Sequence, residues 1–300
     1  MSDLYLYAAT ILIWGSTWFA IKLQLGVVPP AVSVMWRFLA AAAILLGYSV
    51  LRGLPLRFSR RDHLWMALQG LMMFCLNYVG FYLAEQQLAS GLAAVICSLM
   101  MLGNIAGMRL FFGVPIQRSN LLGGLIGIAG VALLFLPELR SVSVTNATLV
   151  GVALAVGATI SASLGNMVAT SNQRRGLPIL QVNGWSMLYG AVITGVAAAV
   201  LGQEFIFESS WRYLGSWMYL VIFGSVLAFG AYLTLMKRIG AHRAGYAMVA
   251  IPVVALLIST CFENLQWTAN LWAGAALCVV GNILVLGRRQ APSSLAGGRG

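Results

Sequence analysis

Residues 4–23 read Leu-Tyr-Leu-Tyr-Ala-Ala-Thr-Ile-Leu-Ile-Trp-Gly-Ser-Thr-Trp-Phe-Ala-Ile-Lys-Leu, and no charged residue occurs from Leu4 to Ile21. A helix needs about 20 predominantly apolar residues to cross the roughly 30 Å hydrocarbon core of a bilayer. This stretch has that length. It follows Asp3 rather than a basic segment, and no small-residue cleavage site comes after it, so we expect a retained membrane helix and not a signal peptide.

The rest of the chain has the same composition. Of its 300 residues, 60% are hydrophobic and only 8% are charged, whereas soluble domains carry about 25% charged residues. The apolar segments are twice as long as a barrel strand and do not alternate, so they predict helices. Short connections between them leave no room for a separate soluble domain. The ten predicted spans are Leu4–Leu23, Ala31–Leu51, Leu64–Ala84, Gly91–Phe112, Asn120–Leu136, Leu149–Ala169, Ile179–Leu201, Tyr213–Met236, Ala244–Phe262 and Trp267–Leu286.

The formal charge of +11 is unevenly distributed along the chain. Alternate connections hold most of the 18 Lys and Arg: Arg52, Arg57, Arg60, Arg61, Arg109, Arg118, Arg174, Arg175, Lys237, Arg238, Arg243, Arg288, Arg289 and Arg299. The opposite connections hold Lys22, Arg140 and Arg212, together with Glu85, Glu138, Glu204, Glu208 and Glu263. Basic residues near helix ends stay in the cytoplasm, so we predict that both termini are cytoplasmic. Topology and anionic lipid account for the charge, and we expect no nucleic-acid partner.

The spans contain an internal repeat. Three pairs of segments match in order, at offsets of 150 to 154 residues: Gly80–Ala84 with Gly230–Thr234, Gly91–Val95 with Gly245–Val249, and Gly123 and Gly130 with Gly274 and Gly281. That offset is half of the chain, so it predicts one five-helix unit used twice. We predict a first repeat over residues 1–137, a second over residues 145–289 and a disordered tail over residues 290–300.

An odd number of helices makes the second unit enter the membrane from the other side. The predicted fold is therefore an all-α integral membrane protein, with ten transmembrane helices arranged as two inverted five-helix repeats around a central cavity. Inverted repeats allow alternating access, because exchanging the conformations of two similar halves converts an inward-open form into an outward-open one.

Three motifs in the spans resemble a known family: Trp14-Gly15-Ser16-Thr17-Trp18, Arg37-Phe38 with Ala40 to Ala43, and Pro252 with Glu263. They are similar to the WGS motif, the Arg-Phe segment and the ninth-helix proline and glutamate of the EamA-type ten-helix exporters of the drug/metabolite transporter superfamily. The fourth span departs from that pattern, because Ser98 stands where the family has proline. In overall character the chain resembles the aromatic amino acid exporters of the YddG type. The resemblance implies a carrier of small metabolites in the bacterial inner membrane.

Polar and aromatic side chains at helical spacing indicate which faces of the spans line the cavity. The predicted substrate-binding residues are Trp14, Thr17, Trp18, Asn77, Tyr78, Tyr82, Cys97, Met101, Asn104, Ser163, Asn166, Tyr232 and Tyr246. Structural alternatives exist, because Ser and Thr in spans also bond their own helix carbonyls, and Trp and Tyr also form interfacial belts. A cavity of indole, phenol, amide and thioether groups suits a cargo that is part aromatic and part polar, such as an aromatic or other large amino acid.

Charged groups in the spans are scarce. Every Asp and Glu is predicted to lie in a connection or near a span end, so we expect no buried carboxylate and transport that is not coupled to an ion. Arg37 lies inside the second span, and it either reaches outward to the interface or pairs with Glu85 or Glu263 as an outer gate.

Other functions fit the sequence less well. The alternative cargo is a drug or an aromatic cation such as methyl viologen, exported by the same kind of carrier. The sequence lacks the filter-like repeat of a channel, and it lacks the buried nucleophile, base or HExxH motif of an intramembrane enzyme. We therefore expect a non-enzymatic carrier whose partners are a small-molecule substrate and lipid, with no cofactor and no metal site. Nothing in the sequence implies an oligomer.

Overall fold

The computed structural model describes residues 2–116, 118–134, 146–239, 246–265 and 267–286. This part of the chain contains ten helices: α1 Asp3–Lys22, α2 Pro30–Leu51, α3 Arg60–Glu85, α4 Ser90–Phe112, α5 Arg118–Leu134, α6 Asn146–Arg174, α7 Ile179–Val200, α8 (Trp211–Tyr219, Leu220–Leu227 and Ala228–Ile239), α9 Tyr246–Phe262 and α10 Ala269–Leu286. Seven of the described helices are long and apolar enough to cross a membrane. The prediction of an all-α protein with ten helices is confirmed. Residues 290–300, predicted to be disordered, lie outside the described residues.

Local sequence signals set the ends of several helices. Ser59 begins α3 with a capping box, in which Ser59 Oγ accepts from the Asp62 N–H and the Asp62 carboxylate accepts from the Ser59 N–H, both at 3.1 Å. Pro30 occupies the first turn of α2, where its missing N–H costs nothing. Gly113 follows α4 with φ of 69°, in the left-handed region that glycine tolerates.

Equivalent helices of the two halves pack against each other in opposite directions. At one end of the α2–α7 pair, a Cβ added to Gly195 would lie 2.8 Å from Met35 Sδ, and at the other end a Cβ on Gly184 would lie 2.8 Å from a Leu46 methyl group. The early part of α2 therefore meets the late part of α7. The α5–α10 pair has the same antiparallel arrangement, as expected for inverted repeats.

The remaining contacts follow the same pseudo-symmetry. Helix α1 packs against α8 and α9, and its counterpart α6 packs against α3 and α4. Both α3 and α8 contain a π-helical segment, at Gly70–Leu76 and Leu220–Leu227, and these segments begin 150 residues apart. π-Helical turns are rare and often occur at functional sites. Their recurrence at equivalent positions supports the duplication independently of the sequence matches.

Candidate substrate site

A cavity of about 90 Å³ lies between the two halves of the bundle. Helices α1, α3 and α4 of the first half and α6, α8 and α9 of the second half contribute its lining. Eight of the predicted site residues line it: Trp14, Thr17, Trp18, Asn77, Tyr78, Cys97, Asn166 and Tyr232. Typical small-molecule sites measure about 300–1,000 Å³, so the site must widen to accept a cargo.

Aromatic rings form much of the cavity wall. The Trp14 ring centroid lies 5.1 Å from that of Phe229 and 5.0 Å from that of Tyr232, which links α1 to α8. Trp18 packs edge-on against Phe81 at 4.9 Å, which links α1 to α3. The Trp14 Nε1–H donates to the Gly224 carbonyl at 3.2 Å. Gly224 belongs to the π-helical segment of α8, and because this bond satisfies the indole donor inside the bundle, Trp14 needs no headgroup.

The polar groups of the wall are uncharged amides and hydroxyls. Asn77 Nδ2 donates to the Met73 carbonyl at 3.2 Å, whereas Asn77 Oδ1 has no hydrogen-bond partner in the described structure. Asn166 Nδ2 donates to Asn104 Oδ1 at 3.2 Å. None of the described residues that line the cavity carries a formal charge. The cavity wall therefore combines aromatic area with an unpaired amide acceptor, which is buried in this closed state and meets a cargo only when the site widens.

Four predicted site residues do not line the cavity, and Tyr246 has a side chain outside the described part. Tyr82 is fully buried beyond the cavity and donates to Gln24 Oε1 at 2.7 Å. Ser163 Oγ donates to the Met100 carbonyl at 2.9 Å, and Asn104 reaches the cavity only through Asn166. Met101 packs instead against Ile105 and Val279.

A break in α4 explains why Met101 lies away from the cavity. The helix is interrupted at Leu99, between Ser90–Ser98 and Met100–Phe112. The prediction counted 3.6 residues per turn from Cys97 through an unbroken helix, so it chose Met101, whereas Met100 lines the cavity. Sequence reasoning also missed Ile21, Met73, Phe81, Ala94, Ser98, Ala162, Phe229 and Ile251. Most are apolar, and no sequence signal distinguishes them from lipid-facing residues; the one signal at Ser98 is its departure from the family pattern.

Arg37 follows neither of the two predictions made for it. Its side chain is 1% exposed and does not reach the interface, and no ion pair with Glu85 or Glu263 is present among the described residues. Arg37 Nε donates to Ser225 Oγ at 2.9 Å, and the guanidinium lies 4.6 Å from the ring centroid of Tyr78. Because Tyr78 lines the cavity, a positive charge lies directly behind the cavity wall.

The bundle is closed at the end where α1 ends and α2 begins, which the charge pattern predicts to be extracellular; we call it the predicted outer end. Gln24, Tyr82 and Glu85 are each at most 1% exposed there. The expectation of no buried carboxylate is therefore wrong. A residue at the end of a span normally meets water, but packing of α1, α2 and α6 around the end of α3 encloses Glu85.

A chain of amides occupies the opposite end of the bundle. Asn172 Nδ2 donates to Gln69 Oε1 at 2.9 Å, and Gln69 Nε2 donates to Asn183 Oδ1 at 3.3 Å. This chain joins α3, α6 and α7 by side-chain hydrogen bonds within the bundle, and it leaves Asn172 Oδ1 without a partner in the described structure. It also accounts for the length of α6, which continues to Arg174 rather than ending at Ala169, because Asn172 has a buried partner.

Comparison with known proteins agrees with this architecture. A profile of the EamA-like transporter family matches residues 2–136 and again residues 149–287. The inner membrane transporter YedA of Escherichia coli K12 is 30% identical over 289 residues, which cover 95% of this chain and 91% of YedA. The transporter YoaV of Bacillus subtilis is 24% identical, with coverage of 93% and 96%, and the protein PagO of Salmonella typhimurium is 22% identical, with coverage of 96% and 93%.

A solved crystal structure has the same fold. It superposes with a TM-score of 0.70 at 20% sequence identity and covers 96% of this chain and 99% of the other. The family profile and YedA show that the chain is a membrane transporter and not an enzyme. The chain belongs to the EamA-like transporter family, within the drug/metabolite transporter superfamily.

Proposed function

We propose that this protein is an inner-membrane exporter of aromatic and other large amino acids, of the YddG type. The supporting observation is the uncharged aromatic cavity between the halves, with Trp14, Trp18 and Tyr232 in its wall and an unpaired acceptor at Asn77 Oδ1. Aromatic rings offer apolar area to a large side chain, and the amide acceptor suits an ammonium group. YedA is described as an inner membrane transporter, which supports the same location for this chain.

The position of Arg37 favours an amino acid over an aromatic cation. The Arg37 guanidinium lies 4.6 Å from the centroid of the Tyr78 ring, so it repels a cation in the cavity and attracts a carboxylate. Both electrostatic interactions are stronger in a low-dielectric interior than in water. No described lining residue supplies the carboxylate that a cationic drug would need. Methyl viologen and similar cations are therefore the second candidate cargo.

Transport proceeds by alternating access between the halves at residues 1–137 and 145–289, with both termini in the cytoplasm. The closed predicted outer end corresponds to one of the two states. Cargo binding involves no charged lining residue, so net flow follows the cargo gradient, which is outward for a metabolite made in the cell. No stoichiometric movement of protons or sodium is required.

Counterflow in proteoliposomes tests the cargo and the carrier mechanism together. Purified protein should exchange labelled Phe or Trp for unlabelled amino acid with saturation, whereas a channel would show no exchange of this kind. A competition panel of Phe, Trp, Thr, Met, a polyamine, methyl viologen and a nucleotide sugar should rank the aromatic amino acids first. Stronger competition by methyl viologen would replace the amino-acid assignment with the cation alternative.

Cys97 provides a direct test of the site. It lines the cavity and is half-buried, whereas Cys75 and Cys278 are buried and Cys261 is exposed. In a Cys261→Ser background, a small thiol reagent should therefore modify Cys97, and saturating Phe should slow that modification. Equal rates with and without Phe, at concentrations that support exchange, would remove the cavity from the transport path.

A further inference from the structure

Glu85 is a buried carboxyl group without a partner. It ends α3 at the predicted outer end with 0% of its surface exposed, and neither carboxyl oxygen has a hydrogen-bond partner in the described structure. Glu263 at the same end provides the contrast. Its Oε2 accepts from the Ser90 N–H at 3.1 Å, from Ser90 Oγ at 2.8 Å and from Ser259 Oγ at 2.6 Å.

The charged groups that face Glu85 do not pair with it. Lys22 on α1 donates its ammonium to the backbone carbonyls of Glu85 and Leu88, at 2.6 and 3.0 Å. Arg37 on α2 bonds Ser225, and Glu263 at the end of α9 adds a like charge.

The other groups around Glu85 are neutral or distant. Tyr82, one turn earlier on α3, is a neutral phenol that donates to Gln24. Helix α6 also packs on this part of α3, but its one charged residue, Arg174, is at the opposite end of that helix. Helix α4 has Arg109 as its one charged residue, near its far end.

Burial of the Glu85 carboxyl group therefore outweighs the attraction of the nearby Lys22 and Arg37 cations, neither of which bonds to it. An ionised carboxylate that lacks hydrogen bonds and a close counter-ion is costly in a protein interior, whereas a neutral carboxyl group is much less so. Alternating access requires this end of the bundle to open, and opening hydrates the carboxyl group. The closed state therefore favours the protonated group, and the open state favours the ionised one.

We propose that Glu85 is a proton switch for the predicted outer end, which binds a proton when this end closes and releases it when the end opens. The inference rests on the proposed alternating-access function. The proton comes from the outer solution and returns to it, so no proton is carried across the membrane. Acid on this face holds the carrier closed and slows exchange, although a pH gradient alone drives no accumulation.

Counterflow at varied pH tests the switch. Between about pH 7.5 and about pH 5.5 on both faces, one coupled proton can change the closed-to-open ratio by at most about tenfold per pH unit, and we expect exchange to fall about tenfold in total. Glu85→Gln is permanently neutral, so its exchange should be slow and independent of pH. Glu85→Asp should retain the dependence. The matched control is Glu204→Gln, because Glu204 is an exposed acid at the same end and its removal should leave the wild-type profile.

A labelling experiment tests the switch without any cargo. Leu88 follows α3 and is 4% exposed, whereas Gln86 in the same turn is exposed. In the Cys261→Ser background, the rate at which an impermeant reagent labels Leu88→Cys, divided by the rate for Gln86→Cys, should rise with pH. In the presence of Glu85→Gln the ratio should stay at its low-pH value.

The two experiments separate the switch from the cargo assignment. A wild-type pH dependence that persists in Glu85→Gln would assign the titration to another group and overturn the proposal. So would a labelling ratio that does not respond to pH. Failure of every amino acid in the competition panel, with the labelling ratio still dependent on pH and on Glu85, would overturn only the cargo assignment.

Discussion

Among the cavity residues, Trp14 is expected to contribute most to the affinity for the cargo. Its indole contacts Phe229 and Tyr232 and faces the cavity. If about 50 Å² of its apolar surface contacts the cargo, Trp14→Ala loses about 1 kcal/mol of binding free energy at about 25 cal/mol per Å². Loss of the contact between the Trp14 ring and the aromatic ring of the cargo adds about 1 kcal/mol. A total of about 2 kcal/mol corresponds to a roughly thirtyfold weaker affinity. The half-saturation concentration for Phe in counterflow measures this change directly.

Two further variants separate binding from folding. Trp14→Phe retains a ring but loses the hydrogen bond to the Gly224 carbonyl, so we expect a smaller change, of about threefold to tenfold. Trp272→Ala is the matched control, because this tryptophan is 62% exposed and does not line the cavity. An unchanged half-saturation concentration in correctly folded Trp14→Ala would refute the placement of the cargo.

Two other predictions concern packing and selectivity. A Cβ on Gly281 would lie 2.5 Å from the Gly123 carbonyl oxygen, so Gly281→Ala should cost about 1–3 kcal/mol of stability and lower the apparent midpoint of thermal unfolding in detergent. The control is Gly230→Ala, because a Cβ there meets open space and should be neutral or stabilising. Equal midpoints for the two variants would contradict the close α5–α10 contact. Asn77→Asp places a carboxylate in the cavity wall, and we expect the ratio of methyl viologen affinity to Phe affinity to rise at least about tenfold. An unchanged ratio in the competition assay would show that Asn77 does not face the cargo.

The sequence was sufficient to predict the helices and their duplication because both depend on local composition. Uncharged segments as long as Leu4–Ile21 have few stable alternatives to a helix in lipid. The match between Gly80–Ala84 and Gly230–Thr234 aligns the sequence of one half with that of the other. The π-helical segments at Gly70–Leu76 and Leu220–Leu227 could not be predicted in the same way. They contain close contacts with other helices, such as that of Gly70 with α7, and composition does not encode such contacts.

The candidate site was predicted where one regular helix face supplied the residues. Trp14, Thr17 and Trp18 share such a face on α1, and all three line the cavity. On α4 the structure places Met100 rather than the predicted Met101 at the cavity, because the break at Leu99 shifts the face. The prediction was wrong for Glu85, whose burial depends on neighbouring helices rather than on its position in the span. The binding roles of the cavity residues remain predictions.

A reversible disulfide between the two halves tests most directly the central claim that cargo crosses by movement of one half against the other. Ser90 on α4 and Ser259 on α9 lie at the predicted outer end with their hydroxyl oxygens 2.9 Å apart, close enough for a disulfide when both are replaced by Cys. In a Cys261→Ser background, oxidation of Ser90→Cys/Ser259→Cys should abolish counterflow of Phe, and reduction should restore it. Full exchange by protein in which the disulfide is quantitatively formed would contradict alternating access by movement of the two halves at the predicted outer end.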